Sequence, residues 1–220
     1  MRYLKSNFFS IVFLTFSLLP QVGVSQILPS DNWYNGFVVL KKGDTLEGTL
    51  KYNLDVNTVI LKNPSGTSTI GANNIFLFQI ADNEDKLKTF YSLPYEVSAR
   101  YKRDILFELM YEAPMTLMAR EKISRETIST QDRYNPYNTN PLFYTVEKLD
   151  YDFYFLDQEG LMIEFRDRSR KNLVKMLGFD KKAMDLYIRK NKLSIDKPAH
   201  LIKIAAYYNA IRYGSTSLEK

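Results

Sequence analysis

The chain has 220 residues, 45% of them apolar and 14% aromatic, a composition that suits a globular fold and excludes a disordered polymer. Its 30 basic and 25 acidic side chains leave a small excess that gives little support to a polyanion-binding role. There is no cysteine, which excludes a disulfide framework, a thiol nucleophile, an iron–sulfur cluster and a thiolate zinc site.

The first element is a leader. Arg2 and Lys5 precede an apolar run, Phe8–Leu19, which Pro20 breaks, and Gly23-Val24-Ser25 places small residues just before Gln26. This layout predicts a signal peptide over residues 1–25, cleaved before Gln26. The run is shorter than the ~20 residues that spanning a bilayer needs, so a cleaved leader is expected and not an anchor. With no cysteine at the cleavage site, attachment as a lipoprotein is excluded. The expected mature chain has 195 residues and a charge of 28 − 25, or +3. It is expected in the periplasm or the external medium, away from ATP, NAD and chromosomal DNA, with no stable membrane anchor.

Residues 26–123 read as a β-rich region. Gly36–Lys41 and Thr45–Tyr52 flank Lys42-Gly43-Asp44, a loop of hairpin length. Strands are predicted at Thr58–Lys62, Ser68–Ile70, Ile75–Ile80 and Lys86–Leu93, then at Ile105–Tyr111 and Met115–Glu121. Ile105, Phe107, Leu109 and Tyr111 alternate as a half-buried strand requires. Residues 124–143, rich in Ser, Thr, Asn and Tyr and broken by Asn135-Pro136 and Asn140-Pro141, are expected to form a polar surface loop.

Strand character resumes at Tyr144–Leu149, Asp152–Leu156 and Leu161–Arg166. The period then becomes helical. Ser169 is placed to cap Arg170–Leu177 and Gly178 to end it. Asp180 can cap Lys181–Asn191, and Pro198 suits the first turn of a third helix whose Leu201, Ile204, Ala205, Tyr208 and Ile211 share a face. Residues 144–213 are expected to pack with the β region as one unit, leaving 214–220 as a tail. The expected class is α+β: an antiparallel β-rich part, small-barrel or meander-like, with three C-terminal helices packed on it.

No motif marks a catalytic, cofactor or metal site. His200 is the only histidine, and no Gly-x-Ser-x-Gly elbow presents a serine to it, so a structural role is expected. Asp82-Asn83-Glu84-Asp85 lacks the ligand spacing of a calcium loop and reads as a turn. Glu108, Glu112, Glu121, Glu147 and Glu164 are all eligible for paired-carboxylate chemistry, which depends on separation across a cleft and not along the chain. Arg166-Asp167-Arg168-Ser169-Arg170-Lys171 reads as a solvated strand–helix junction. Trp33, Tyr34, Tyr134 and Tyr137 are the candidates for contact with a protein partner or glycan, with Phe143 and Tyr144 beside them, because all fall in or next to predicted loops.

Two resemblances follow from particular residues. Val39–Leu50 followed by Asp55–Leu61, thus residues 39–61, resembles the first Sm motif of Sm-like RNA-binding barrels. The resemblance would place Asp55 and Asn57 as the acidic residue and the Asn of that motif's connecting loop. The Ile-Arg-Gly signature of that family's second motif is absent from the segment that follows. The leader, the Gly43-Asp44-Thr45-Leu46-Glu47-Gly48 hairpin, Tyr154-Phe155-Leu156 through Gly160 and the terminal Tyr207-Tyr208-Asn209 resemble uncharacterised exported proteins of Bacteroidota, which implies an address and an architecture but no activity. The expected function is that of an exported, non-enzymatic envelope protein binding a protein partner or glycan. A carboxylate-based hydrolase of envelope polysaccharide and an Sm-like nucleic-acid binder are the alternatives.

Overall fold

A computed structural model describes residues 29–82, 86–98, 101–129, 143–178 and 180–214. The predicted leader, Asn83-Glu84-Asp85, Tyr134, Tyr137 and the tail beyond Gly214 lie outside them. The fold is α+β. Among the described residues ten strands, β1 (Tyr34–Leu40), β2 (Thr45–Asn53), β3 (Thr58–Asn63), β4 (Gly66–Gly71), β5 (Ile75–Ala81), β6 (Leu87–Ser98), β7 (Tyr101–Tyr111), β8 (Thr116–Ser129), β9 (Phe143–Leu156) and β10 (Met162–Glu164), precede three helices. These are α1 (Arg170–Leu177), α2 (Lys181–Lys190) and α3 (Pro198–Tyr213).

All strands join one antiparallel sheet in the order β10-β9-β8-β7-β6-β5-β1-β2-β3-β4. The meander is interrupted once, where a 3-10 turn at Ala72–Asn74 carries the chain back so that β5 pairs with β1. That close approach explains Gly36, since a Cβ there would lie 2.0 Å from the Gln79 carbonyl oxygen.

The small-barrel alternative is corrected: the sheet is open, with β4 and β10 at its ends. Side chains stand where a closing ladder would run. The β7–β8 ladder stops at the Glu108–Ala119 pair, and the turn between β2 and β3 reaches both strands beyond that point. Asn53 Oδ1 accepts from the Asp55 and Val56 amides and shapes this turn. Asn57 Oδ1 then accepts from the Leu106 amide at 3.1 Å, and Arg120 donates to the Leu54 carbonyl.

Asn57 has φ 55°, in the left-handed region, and is buried. Asn57→Gly keeps that conformation but loses the acceptor, and should cost about 1–2 kcal/mol. Asn57→Ala also adds about 1–2 kcal/mol of backbone strain. Urea melts of the two variants should rank alanine as the less stable.

One apolar core lies inside the curl of β1–β7, where the Phe78 and Phe90 rings stack at 4.4 Å. A second lies between β8–β9 and the helices, with Leu173, Met184, Leu201, Ile204 and Ala205 fully enclosed. The helix boundaries follow their local signals. Ser169 accepts from the Asn172 amide, Gly178 ends α1 at φ 73°, and Asp180 accepts from the Ala183 amide. Pro198 opens α3 and Gly214 closes it. Asn209 is buried, its Oδ1 accepting from the Met115 amide and its Nδ2 donating to the Met115 and Ala205 carbonyls. It fastens α3 to the β7–β8 turn.

The expected polar loop over 124–143 is corrected at its two ends, while residues 130–142 lie outside the described residues. β8 continues to Ser129 and β9 starts at Phe143, paired rung by rung. Composition argued for a loop, but Ile128 opposite Tyr144 and Arg125 paired with Glu147 supply the cross-strand contacts of a ladder. Likewise Tyr144–Leu149 and Asp152–Leu156 are one strand. Asp150 and Asp152 do not break it, because Lys122 and Arg168 pair with both.

Candidate functional site

Alternation along three neighbouring strands builds the most charged interior cluster. Glu108 faces Phe90 on one side and Ala119 on the other. Lys88 and Glu121, two residues from those partners, therefore project from the same face. Lys88 Nζ lies 3.3 Å from Glu108 Oε1 and 3.4 Å from Glu121 Oε1. From the opposing wall of the curled sheet, the Tyr52 hydroxyl donates to Glu121 Oε2 at 2.7 Å.

Both carboxylates are buried, and Glu108 Oε2 has no hydrogen-bond partner among the described residues. Burial raises the Glu108 carboxyl above the usual range, with Lys88 opposing the shift and Glu121 reinforcing it. Burial would lower the Lys88 ammonium, but the two glutamates outweigh it and hold the value up. Burial, then Glu121, raises the Tyr52 phenol strongly. The same two causes push Tyr151 up to about 12.

The structure thus brings together two of the five eligible glutamates. Glu112 sits exposed in the β7–β8 turn, Glu147 pairs with Arg125, and Glu164 takes bonds from Tyr95 and Arg166. A glycosidase pair needs substrate between its carboxylates. Here Lys88 occupies that place, and Tyr52 covers the second oxygen of Glu121. The arrangement serves as an ionic seam joining the two halves of the sheet. One side opens to a pocket of about 280 Å³ with Tyr52 and Glu121 in its lining, along with Asp31, Lys51, Asp55 and Lys122.

The aromatic candidates divide. Trp33 is 46% exposed and lines a groove with Gly48, Lys62 and Pro64. Tyr34 is corrected: it opens β1, is buried, donates to the Pro29 carbonyl and stacks on Tyr52, so it offers no face to a ligand. Its hydrophobic neighbours on β2 and its satisfied hydroxyl explain the burial. Phe143 and Tyr144 are 68% and 48% exposed.

Of the resemblance's loop residues, Asn57 is buried, with its Oδ1 taken by the Leu106 amide and its Nδ2 without a partner among the described residues, so it presents no group at the surface. His200 Nδ1 accepts from the Ser194 amide, a structural role. The basic junction is less solvated than expected. Arg168 pairs with Asp150 and donates to the Tyr151 carbonyl, and its guanidinium lies 5.8 Å from the centre of the Phe153 ring.

Beyond Ala119 and Phe153 the β8–β9 hairpin leaves the sheet. Ten further residue pairs, Arg120–Asp152 to Ser129–Phe143, have only each other as ladder partners among the described residues. The first rungs still pack on Leu54, Tyr52 and Arg168, and the last six, Ser124–Lys148 to Ser129–Phe143, form a two-stranded arm about 20 Å long. By alternation Ile128, Tyr144 and Val146 share one face near its end, and all are exposed. The sequence offered no signal for this arm beyond its aromatics, because polar, paired strands and polar loops have similar compositions.

No protein family, curated protein or solved structure matches this chain. Among the described residues no helix is long and apolar enough to cross a membrane, and no cluster of three or more His, Cys, Asp or Glu side chains could hold a metal ion.

Proposed function

We propose that the protein is an exported, non-enzymatic component of the cell envelope that binds a protein partner through the β8–β9 arm. The observation that carries this reading is the exposed pad of Ile128, Tyr144 and Val146 on a ribbon that leaves the body of the sheet. An isolated two-stranded hairpin is marginal in water, and its unpaired edges are templates for a further strand. A partner strand along the β8 edge would satisfy its backbone groups and cover the pad. The bland role of the pad, cross-strand cohesion at the Ile128–Tyr144 pair, does not account for its outward exposure. The leader residues 1–25 support the address, and the pocket at the root of the arm or the Trp33 groove would accept a glycan.

The hydrolase alternative draws on the meeting of Glu108 and Glu121, and it requires Lys88 to leave them. A photoreactive residue at Val146 tests the arm in intact cells. It should give defined envelope adducts that disappear when Ile128 and Tyr144 become serine, with little change in melting temperature. A control probe at the exposed Leu87 should give none of these adducts. Adducts that survive the serine changes, or none at all, would remove the arm as a binding surface. The exported chain should begin at Gln26, and recovery of chain from the envelope still starting at Met1 would contradict the cleaved-leader reading.

A further inference from the structure

We infer that the groove between α1 and α2 adsorbs to the surface of a bilayer containing anionic phospholipid. Residues 166–203 contain twelve Lys and Arg against four Asp and Glu, a net +8. The whole chain is only +5, so the remainder is −3, and the modest total conceals a strongly polarised molecule. The helices gather part of this charge on one side. On α1, Arg170, Lys171, Val174 and Lys175 recur at the spacing of one helix face, and on α2 so do Lys181, Lys182, Asp185, Leu186 and Arg189. The two faces line an open groove of about 880 Å³.

Arg170 and Arg189 are both paired with Asp185. Lys171, Lys175, Lys181 and Lys182 are exposed and have no acidic partner within ion-pair distance among the described residues. Three of these, Lys171, Lys181 and Lys182, stand in the first turn of a helix, and apart from the Asp180 cap of α2 neither helix start carries an acidic residue. The helix dipole disfavours cations at that end, so these lysines work against the stability of their own helices. A surface of negative charge would reverse that penalty.

One apolar residue of the lining chooses among anionic partners. Leu186 is 61% exposed among the lysines. An apolar side chain lining the same groove as several cations suits the boundary between headgroups and acyl chains, where the lysines meet phosphate and the leucine leaves water. A nucleic-acid backbone would leave Leu186 without a partner. Since none of these helices can span a bilayer, the contact is adsorption. It rests on neither the arm nor the address.

The test compares the wild-type chain with a Lys171→Glu/Lys181→Glu/Lys182→Glu variant of the same length, so that residues before Pro29 cancel. Sedimentation is run with vesicles of phosphatidylcholine alone and with about one-third phosphatidylglycerol. Wild type should bind the anionic vesicles more tightly and lose that excess as salt shortens the Debye length. The variant should lose at least about a hundredfold in affinity for anionic vesicles. Its melting temperature should be unchanged or higher, because acidic residues now stand at the helix starts. Equal wild-type binding to both vesicle types, or full retention by the variant, would overturn the inference. Tighter salt-sensitive binding to a short DNA duplex than to anionic vesicles would overturn the choice of a bilayer.

Discussion

A chain ended at Lys197 is expected to lose its C-terminal core. The deletion removes α3, whose Leu201, Ile204, Ala205 and Tyr208 are enclosed between the sheet and the other helices. Each large side chain contributes about 1.5–3 kcal/mol by burial. The stack of Tyr207 on Tyr187, with ring centres 3.8 Å apart, is lost as well. Loss of Asn209 also strips the Met115 amide and carbonyl of their partners and unfastens the β7–β8 turn. The sum approaches the whole stability of a typical domain. The product should be insoluble, or should bind a hydrophobic dye and lack near-ultraviolet circular dichroism. Ile204→Ala gives a graded version, expected to cost about 2–5 kcal/mol in a urea melt. A soluble truncated chain with an unchanged melting temperature would show α3 to be an appendage.

Lys88→Met should be the most damaging change in the charged seam. It leaves Glu108 and Glu121 buried beside each other without their shared cation, and the expected cost near pH 8 is about 3–5 kcal/mol. The loss should depend on pH with a definite sign. A carboxyl raised in the folded state, as Glu108 is, contributes stability that is fully present below its unfolded pKa and is lost as pH rises through its folded one. Removing Lys88 raises Glu108 further and moves that loss to higher pH. The gap between variant and wild type should therefore narrow as pH falls toward about 5. Adding Glu108→Gln should restore part of the stability, because Tyr52 still donates to Glu121. A pH-independent gap, or no gap, would show that the pair carries little of the fold's stability.

The C-terminal helices were legible because their determinants are local. Ser169, Gly178, Asp180, Pro198 and Gly214 each act on a neighbouring turn, and a short sequence window contains both the signal and its effect. Alternation likewise revealed the existence of most strands, and the absence of cysteine excluded whole chemistries outright. The arm was hidden for a related reason: whether Ser124–Ser129 forms a ladder depends on Phe143–Lys148 being opposite, a fact no local window holds. Tyr34 looked available beside Trp33 because burial is a property of what packs on a side chain. Nothing in the spacing of residues 52, 88, 108 and 121 anticipates one cluster. They meet because the return of β5 to β1 curls β2 over the face of β6–β8. The sequence by itself determined the class of fold, its helical end and the chemistries it lacks, because these follow from composition and short-range geometry. Only the tertiary structure decided which carboxylates share a cation, which aromatic faces water and where Asn57 is spent, because those depend on contacts between residues tens of positions apart.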